Sequence, residues 1–212
     1  MTSSFDERAA TWDDEPDHVR RAATAAAAIR AAVPLTAATR LLEYGAGTGA
    51  VSEALASEVG PVTLADPSTG MRARMEQKRS EGRLPGSVRI WDLDLATAPP
   101  PEGERFDLVV TVMTLHHIRD LAPVLNGFAT LLDHGGRLCV VDLEAEDGSF
   151  HRDHPDFDGH DGFEPDELSV LLRSHGFEDA RFERIDELER DGRRYPIFLA
   201  TASRPTHGAT PG

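Results

Sequence analysis

The stretch Arg40–Ser52, RLLEYGAGTGAVS, decides how the rest of the chain is read. Leu41 and Leu42 form a short apolar run that ends on the acidic Glu43. Glycines follow at alternate positions, Gly45, Gly47 and Gly49, and then Val51 and Leu55 at helical spacing. The pattern predicts a strand, a tight turn and the N-terminus of a helix. Glycine lets the backbone turn sharply and lets a ligand approach it closely. The free N–H groups at the start of the helix attract negative charge. Such a turn is where α/β sheets seat a nucleotide-like cofactor. An ordinary strand-to-helix turn is the competing reading, and three glycines behind an acidic residue weigh against it.

Downstream, the segment 48–59 reads as a helix ended by Gly60 and Pro61. Val62, Leu64 and Ala65 form a second strand closed by Asp66, 17 residues after Gly49. One helix and one strand fill that gap, so Asp66 should stand beside the glycine loop. A carboxylate there can accept both ribose hydroxyl hydrogen bonds; Asp66 or Ser68 could equally cap the next helix. Pro67 to Met71 should line the same rim. A charged helix is predicted over 69–81, a third strand around Val88 and Ile90, and then WDLDL, in which Asp92 and Asp94 alternate with apolar neighbours up to Leu95. Phe106–Val112, FDLVVTV, is nearly continuous apolar sequence, as a strand covered on both faces should be. After MTLHHIRD, Asp120 is predicted to cap a helix in which Leu121, Val124, Leu125, Phe128, Leu131 and Leu132 keep the 3.6-residue period, with Gly135 and Gly136 stopping it.

Arg137–Leu143 reads as a fifth strand, and the Asp-, Gly- and His-rich segment after it as a substrate-facing loop. Pro165 opens a helix that Gly176 ends. Segments 180–187 and 194–203 predict two strands joined at Asp191-Gly192. Pro196 lacks an N–H and so marks a strand start or a bulge. Upstream of the glycine loop, residues 5–14 predict a short helix, and Pro16 opens a second that runs to about Val33.

Five features carry a resemblance to a known family. LLEYGAGTG resembles motif I of the class I S-adenosylmethionine-dependent methyltransferases, an apolar strand, an acidic residue and G-x-G-x-G. Gly45, Gly47 and Ala50 also satisfy the nicotinamide or flavin fingerprint G-x-G-x-x-G/A, so the loop alone leaves both open. Asp66 resembles the family's acidic residue after strand two. FDLVV with LHHI resembles the fourth-strand motif of its small-molecule members, those similar to ubiquinone and menaquinone biosynthesis enzymes. FDERAATWDD resembles their N-terminal lid, and FEPDELSVLLRSHGF the helix before their last hairpin. The hairpin discriminates, because methyltransferases of this class insert an antiparallel last strand where a dinucleotide-binding sheet continues with parallel ones.

The resemblance spans about Phe5 to Ser203 and implies a Rossmann-like α/β fold. Its sheet would have seven strands, mostly parallel with an antiparallel C-terminal hairpin strand, and helices on both faces. It implies S-adenosylmethionine as cofactor and methyl transfer to a small-molecule acceptor. The implied cofactor-binding residues are Glu43, Gly45, Ala46, Gly47 and Gly49, with Asp66, Pro67 and Met71 around the ribose. Asp94, with Asp92 as second choice, and Leu95 fall to the adenine, and Thr111 to Met113 pass next to the sulfonium. Trp12 or Phe5 would lie against the cofactor, unless both simply pin the helix to the core. His116, His117 and His160 fall on the substrate side. His116 is the first place to look for a base toward a hydroxyl acceptor, and a structural hydrogen-bonding role is the competing reading for either member of the His116–His117 pair. Two other classes stay open: a non-catalytic cofactor-binding module on the same fold, and a nicotinamide-dependent oxidoreductase.

Composition bounds the partners. The 212 residues carry 37 acidic against 22 basic side chains, a formal net charge of −15. Such a surface repels nucleic acid and anionic membranes, which favours a small-molecule ligand. The single cysteine, Cys139, sits in an apolar run and reads as packing in a reducing compartment. The acidic start is wrong for a signal peptide, and the Ala-rich run after it is broken by Arg30 and too short to span a membrane, so a cytoplasmic location is expected. His151, His154 and His160 stand among Asp153, Asp156, Asp158 and Asp161 with no recognisable ligand spacing, so no metal is expected. The expected organisation is an N-terminal helical lid over 1–36, a cofactor-binding domain over 37–203 and a disordered tail over 204–212. Oligomeric state and the acceptor's attacking atom are not encoded in these motifs.

Overall fold

Strand β1 (Leu41–Tyr44) is the third strand of a seven-stranded sheet. It is parallel to β2 (Val62–Ala65) on one side and to β4 (Phe106–Val112) on the other. Beyond β2 lies β3 (Arg89–Trp91), and beyond β4 lies β5 (Leu132–Leu143), both parallel. The hairpin β6 (Glu178–Arg190) and β7 (Arg193–Ser203) closes the sheet, with β7 inserted antiparallel between β5 and β6. The order is β3-β2-β1-β4-β5-β7-β6. This computed structural model describes residues 4–154 and 156–206.

The alternation of strand side chains sorts the core into two layers. Leu41, Leu108, Cys139 and Val141 face one layer with α2 (Pro16–Ala32), α3 (Ala50–Leu55) and Met75 of α4 (Thr69–Ser80). Leu42, Val109, Leu138 and Val140 face the other, with α5 (Leu121–Leu131) and α6 (Pro165–Ser174). Both faces of the central strands are therefore covered, which is why they read as continuous apolar runs. Side chains fix the helix starts: Asp120 accepts from the Ala122 N–H at 3.0 Å, and the Ser68 hydroxyl accepts from the Met71 N–H at 3.2 Å. The N-terminal segment forms α1 (Ser4–Arg8) and a 3₁₀ helix (Ala9–Asp14) before α2.

Several boundaries differ from the sequence expectation for physical reasons. Helix α3 starts at Ala50, because Gly49 holds a left-handed φ of 76° and belongs to the turn. Strand β5 begins at Leu132, where Gly135 and Gly136 exchange backbone hydrogen bonds with Arg204, each 2.9 Å long. Both hairpin strands are longer than predicted, and Asp191 and Gly192 turn between them with φ of 53° and 71°. Pro196 sits inside β7 but one residue past its last pair with β5, and its carbonyl accepts the Glu144 N–H at 2.9 Å. The expected tail falls outside the described residues from 207 onward. Among the described residues no helix is long and apolar enough to cross a membrane.

Candidate functional site

The carboxyl ends of β1, β2 and β4 open into a cavity of about 1120 Å³. At its floor the chain leaves β1 through Gly45–Gly49. Gly45 and Ala46 donate to the Ala65 carbonyl at 2.9 and 3.0 Å, which folds the loop against the end of β2. Gly47 holds φ at 55°, and a side chain built there would meet no atom within 4 Å. The backbone is thus bare where a ligand would approach it. Gly49 has another role: a Cβ there would come within 2.9 Å of Leu64 Cδ1, so it faces the core and not the cavity.

Two carboxylates organise this floor. Glu43 is 3% exposed, and its Oε2 accepts the Ser52 N–H at 2.9 Å. Burial pushes its carboxyl up to about 7, against the pull of that bond. Asp66 accepts the Gly47 N–H at Oδ2 and the Ser68 N–H at Oδ1, each at 2.8 Å. Burial raises its pKa, partly offset by those two amides. Each Asp66 oxygen keeps a further lone pair, so the residue can still accept from two hydroxyls. Pro67, Met71 and Ala46 line the same wall.

The remaining sequence candidates divide. Asp94 lines the cavity and is braced by the Ala96 N–H at 2.9 Å and the Thr97 hydroxyl at 3.0 Å. Asp92 points away, paired with Arg72 at 3.0 Å with its side chain 71% exposed. Leu95 lies in the core against Gly127. Thr111 is buried with its hydroxyl unpartnered and does not line the cavity, whereas Val112 and Met113 of the same run, with Thr114, form its wall. Trp12 and Phe5 both line the cavity. Trp12 stacks on His18 at 4.0 Å, and Phe5 meets His117 edge-on at 5.3 Å. His160 does not reach the cavity; its backbone N–H donates to the His116 carbonyl at 2.7 Å.

Opposite the glycine loop, β4 ends in a short 3₁₀ turn, Leu115–His117. His116 is 1% exposed, and its Nδ1 meets Asp142 Oδ1 at 2.5 Å. A carboxylate only accepts, so Nδ1 carries a proton, and Nε2 is the nitrogen left with a lone pair in the imidazole form. Asp142 also accepts the His116 and Leu143 N–H groups, at 3.3 and 2.9 Å. His117 opens to the cavity mouth, yet protein surrounds it; that desolvation, with His116 and His151 beside it, lowers its imidazole to about 3. Burial, again with neighbouring His116, lowers His151 to about 4. The thiol of Cys139 lies in the core, where burial pushes it up to about 12 and leaves it unreactive at neutral pH.

Sequence reasoning missed Asp142, Asp13 and Lys78. Asp142 had a signal, a lone carboxylate closing the apolar run LCVV. Lys78 had none, because it stands in a charged helix. It is fully buried, with Nζ 3.0 Å from Asp13, 3.2 Å from Glu53 and 3.2 Å from the Thr48 hydroxyl. Asp13 also accepts the Thr48 hydroxyl at 2.6 Å, so the N-terminal segment is tied to the glycine loop.

Residues 42–140 match the family described as Methyltransferase domain. The strand order, the inserted antiparallel β7 and that match agree. Residues 42–140 are a methyltransferase domain of the class I S-adenosylmethionine-dependent type. An uncharacterised methyltransferase of Schizosaccharomyces pombe is 30% identical over 153 residues, covering 66% of this chain and 54% of the relative. A ubiquinone biosynthesis O-methyltransferase of Xylella fastidiosa is 36% identical over 110 residues, 51% of this chain and 43% of the relative. The chain therefore spans about half the length of these curated relatives. A putative Haloferax volcanii methyltransferase, solved in complex with the Trm112 methyltransferase activator, superposes with a TM-score of 0.79 at 18% identity, over 97% of this chain and 99% of that one. At that identity the likeness speaks for the fold. The cofactor of this methyltransferase family is S-adenosylmethionine.

Proposed function

We propose that this protein transfers the methyl group of S-adenosylmethionine to a small-molecule acceptor inside the 1120 Å³ cavity. The observation that carries the reading is the cavity's continuity. One space runs from Gly47 and Asp66 to the imidazoles of His116 and His117, roofed by Phe5 and Trp12 from the N-terminal segment and Phe150 and Phe157 from the loop after β5.

The residues present suit the cofactor. The bare backbone at Gly47 admits the methionine portion, the free lone pairs of Asp66 suit ribose hydroxyls, and Asp94 on the next strand's loop suits the adenine amino group. Bound there, S-adenosylmethionine supplies a methyl on a cationic sulfur, already activated toward a nucleophile. The protein's share is to align the acceptor, exclude water and receive a proton where the acceptor carries one. His116 is the group for that last step, because Asp142 fixes its Nδ1–H and leaves Nε2 as a lone pair. The N-terminal segment 1–36 and the loop after β5 act as a lid over the acceptor, keeping water from the nucleophile. The net charge of −15 disfavours a nucleic-acid acceptor, and the ubiquinone-pathway relative favours a small one.

The test joins a cofactor melting screen to a methyl-donor assay over a metabolite panel. S-adenosylmethionine and its demethylated product should both raise the melting temperature, and NAD and NADP should not. At 100 times the dissociation constant a ligand adds about 2.7 kcal/mol. Stabilisation by NAD alone would overturn the cofactor. Tight cofactor binding with no methylated product from any acceptor class would favour a non-catalytic binding module.

A further inference from the structure

The acceptor end of the cavity holds three imidazoles from two distant stretches of sequence. His116 and His117 come from the turn after β4, and His151 from the loop after β5. One ligand nitrogen from each lies within 4.8 Å of the other two. The ring centroids of His151 stand 5.1 Å from His116 and 5.3 Å from His117, and those of the adjacent pair 4.1 Å apart. Among the described residues, no hydrogen bond joins one of these rings to another, and the buried Nδ1 of His151 has no partner at all. Three imidazoles that converge without bonding each other need a common partner to satisfy them.

We propose that His116, His117 and His151 bind a divalent transition-metal ion of the zinc type at the acceptor end of the cavity. Three donors of the same borderline-soft class, with the fourth side open to a cavity, are the makeup of a zinc site that keeps a coordination position free. Nitrogens on one tetrahedral ion at about 2.0–2.1 Å lie about 3.4 Å apart. From the present separation, small side-chain rotations bring the set to that spacing. The surroundings are those of a metal-binding histidine set. Asp142 takes the Nδ1–H of His116 at 2.5 Å and directs its Nε2 outward, the carboxylate–histidine–metal arrangement that fixes the ring and raises its basicity. Phe157 stacks on His151 at 3.7 Å, nearly parallel at 9°, and orients that ring.

The open position would take one lone pair of an acceptor oxygen. With the ion bound, His116 Nε2 would be a ligand and not the proton acceptor; the oxygen's proton would leave to solvent, and its second lone pair would form the bond to the methyl as the sulfur–methyl bond breaks. That use rests on the methyl-transfer reading; the ion site itself does not. The set escaped the sequence pattern because its two parts lie more than thirty residues apart, and the histidines closer in sequence, His154 and His160, do not join it.

The experiment is a zinc titration of chelator-treated full-length protein, read by competition with a chromophoric chelator and by melting temperature. Cobalt(II) substitution provides a spectroscopic readout. The expected result is one zinc ion per chain, a rise in melting temperature and visible cobalt absorption of the intensity typical of four-coordinate sites. His117→Ala and His151→Ala should each weaken zinc at least tenfold, Asp142→Asn about 10–100-fold, and His175→Ala, at the end of α6 and outside the cavity, not at all. His117 is solvent-accessible, so its variant keeps the fold even where His151→Ala does not. No stoichiometric zinc at 100-fold excess of free ion, or zinc affinity equal in wild type and His117→Ala, would overturn the proposal. Cofactor binding without zinc binding would leave the methyl-transfer reading standing and remove this one; zinc binding without any response to S-adenosylmethionine would do the reverse.

Discussion

Gly47→Ala separates the cost of the glycine loop to the fold from its use in binding. At Gly47 the φ is 55°, and a Cβ would meet nothing within 4 Å. The only folding cost is the left-handed backbone, about 1–2 kcal/mol for an L-residue. In a chain of this size that lowers the melting temperature by roughly 2–8 °C. Gly45 is different. Its φ is 66°, and a Cβ would lie 2.3 Å from Thr114 Cγ2 and 2.4 Å from its Oγ1. Thr114 would have to swing away and give up its 3.3 Å hydrogen bond to the Gly45 carbonyl. Overpacking of that kind adds about 1–3 kcal/mol. In the absence of ligand, Gly45→Ala should therefore melt well below Gly47→Ala. Toward the cofactor the ranking of Gly47→Ala against wild type reverses in emphasis: a nearly intact fold should bind S-adenosylhomocysteine at least tenfold more weakly, about 1.4 kcal/mol. On the proposed seating the added methyl would stand where the ligand approaches the backbone. Calorimetric titration and ligand-free melting of both variants make the comparison. Wild-type affinity in Gly47→Ala would refute the placement of the cofactor on this loop, and a ligand-free melt as low as that of Gly45→Ala would refute the packing argument.

Three further outcomes are expected. Asp66→Ala should weaken S-adenosylhomocysteine by about 1.5–3 kcal/mol through lost charge-assisted hydrogen bonds, whereas Asp92→Ala, whose carboxylate serves Arg72 outside the cavity, should leave calorimetric affinity near wild type; equal losses would contradict the site. Glu43 has a folded pKa raised from 4.5 to about 7, so the folded state holds its proton more tightly than the unfolded chain and stability is lost as pH rises through that window. Glu43→Gln should thus match wild type near pH 4.5 and exceed it above pH 7, by up to about 3 kcal/mol; melting curves whose difference is flat from pH 5 to 8 would sink this. Lys78→Met strands the half-buried Asp13 and should cost about 3–5 kcal/mol, with faster proteolysis of the first 36 residues; unchanged cleavage there would mean that Asp13 does not hold the segment down.

Most of the fold was legible because local chemistry and topology agreed. FDLVVTV is apolar at every covered position but Thr111, and β4 spans those residues. Asp191-Gly192 supplies the two positive φ values that the β6–β7 turn demands, and the strands on either side follow from it. Asp66 was readable from spacing, since one helix and one strand of ordinary length must return the chain to the glycine loop. The stretch after β3 was less so. In WDLDL both carboxylates alternate alike with apolar neighbours, and only the salt bridge from Arg72 of α4 takes Asp92 out of contention. Leu95 fell in the core because the chain leaves β3 after Trp91 and turns at Leu95, so the alternation of WDLDL does not carry through to it.

The acceptor end was the least legible part, and the reason is the kind of contact that builds it. A strand or a helix is specified by residues two, three or four apart, so its pattern is written locally. The contacts around His116 are not of that kind. Its ring is held by Asp142 from the next strand, its carbonyl by His160 from the loop beyond, and its neighbour His117 is met by Phe5 from the far N-terminus. Each partner arrives only after the parallel sheet has set β4 beside β5, in a register that pairs Val112 with Val141 and so brings Asp142 level with the turn that carries His116. The apolar pattern that fixes this register is the same one that makes the strands recognisable. A polar residue at the end of such a run, as in LCVVDL, is thus placed at the rim by its neighbours, and its chemistry depends on what the adjacent strand ends in. Reading rim residues in pairs, across the strand order that the apolar runs imply, brings Asp142 to His116 before any side chain is seen.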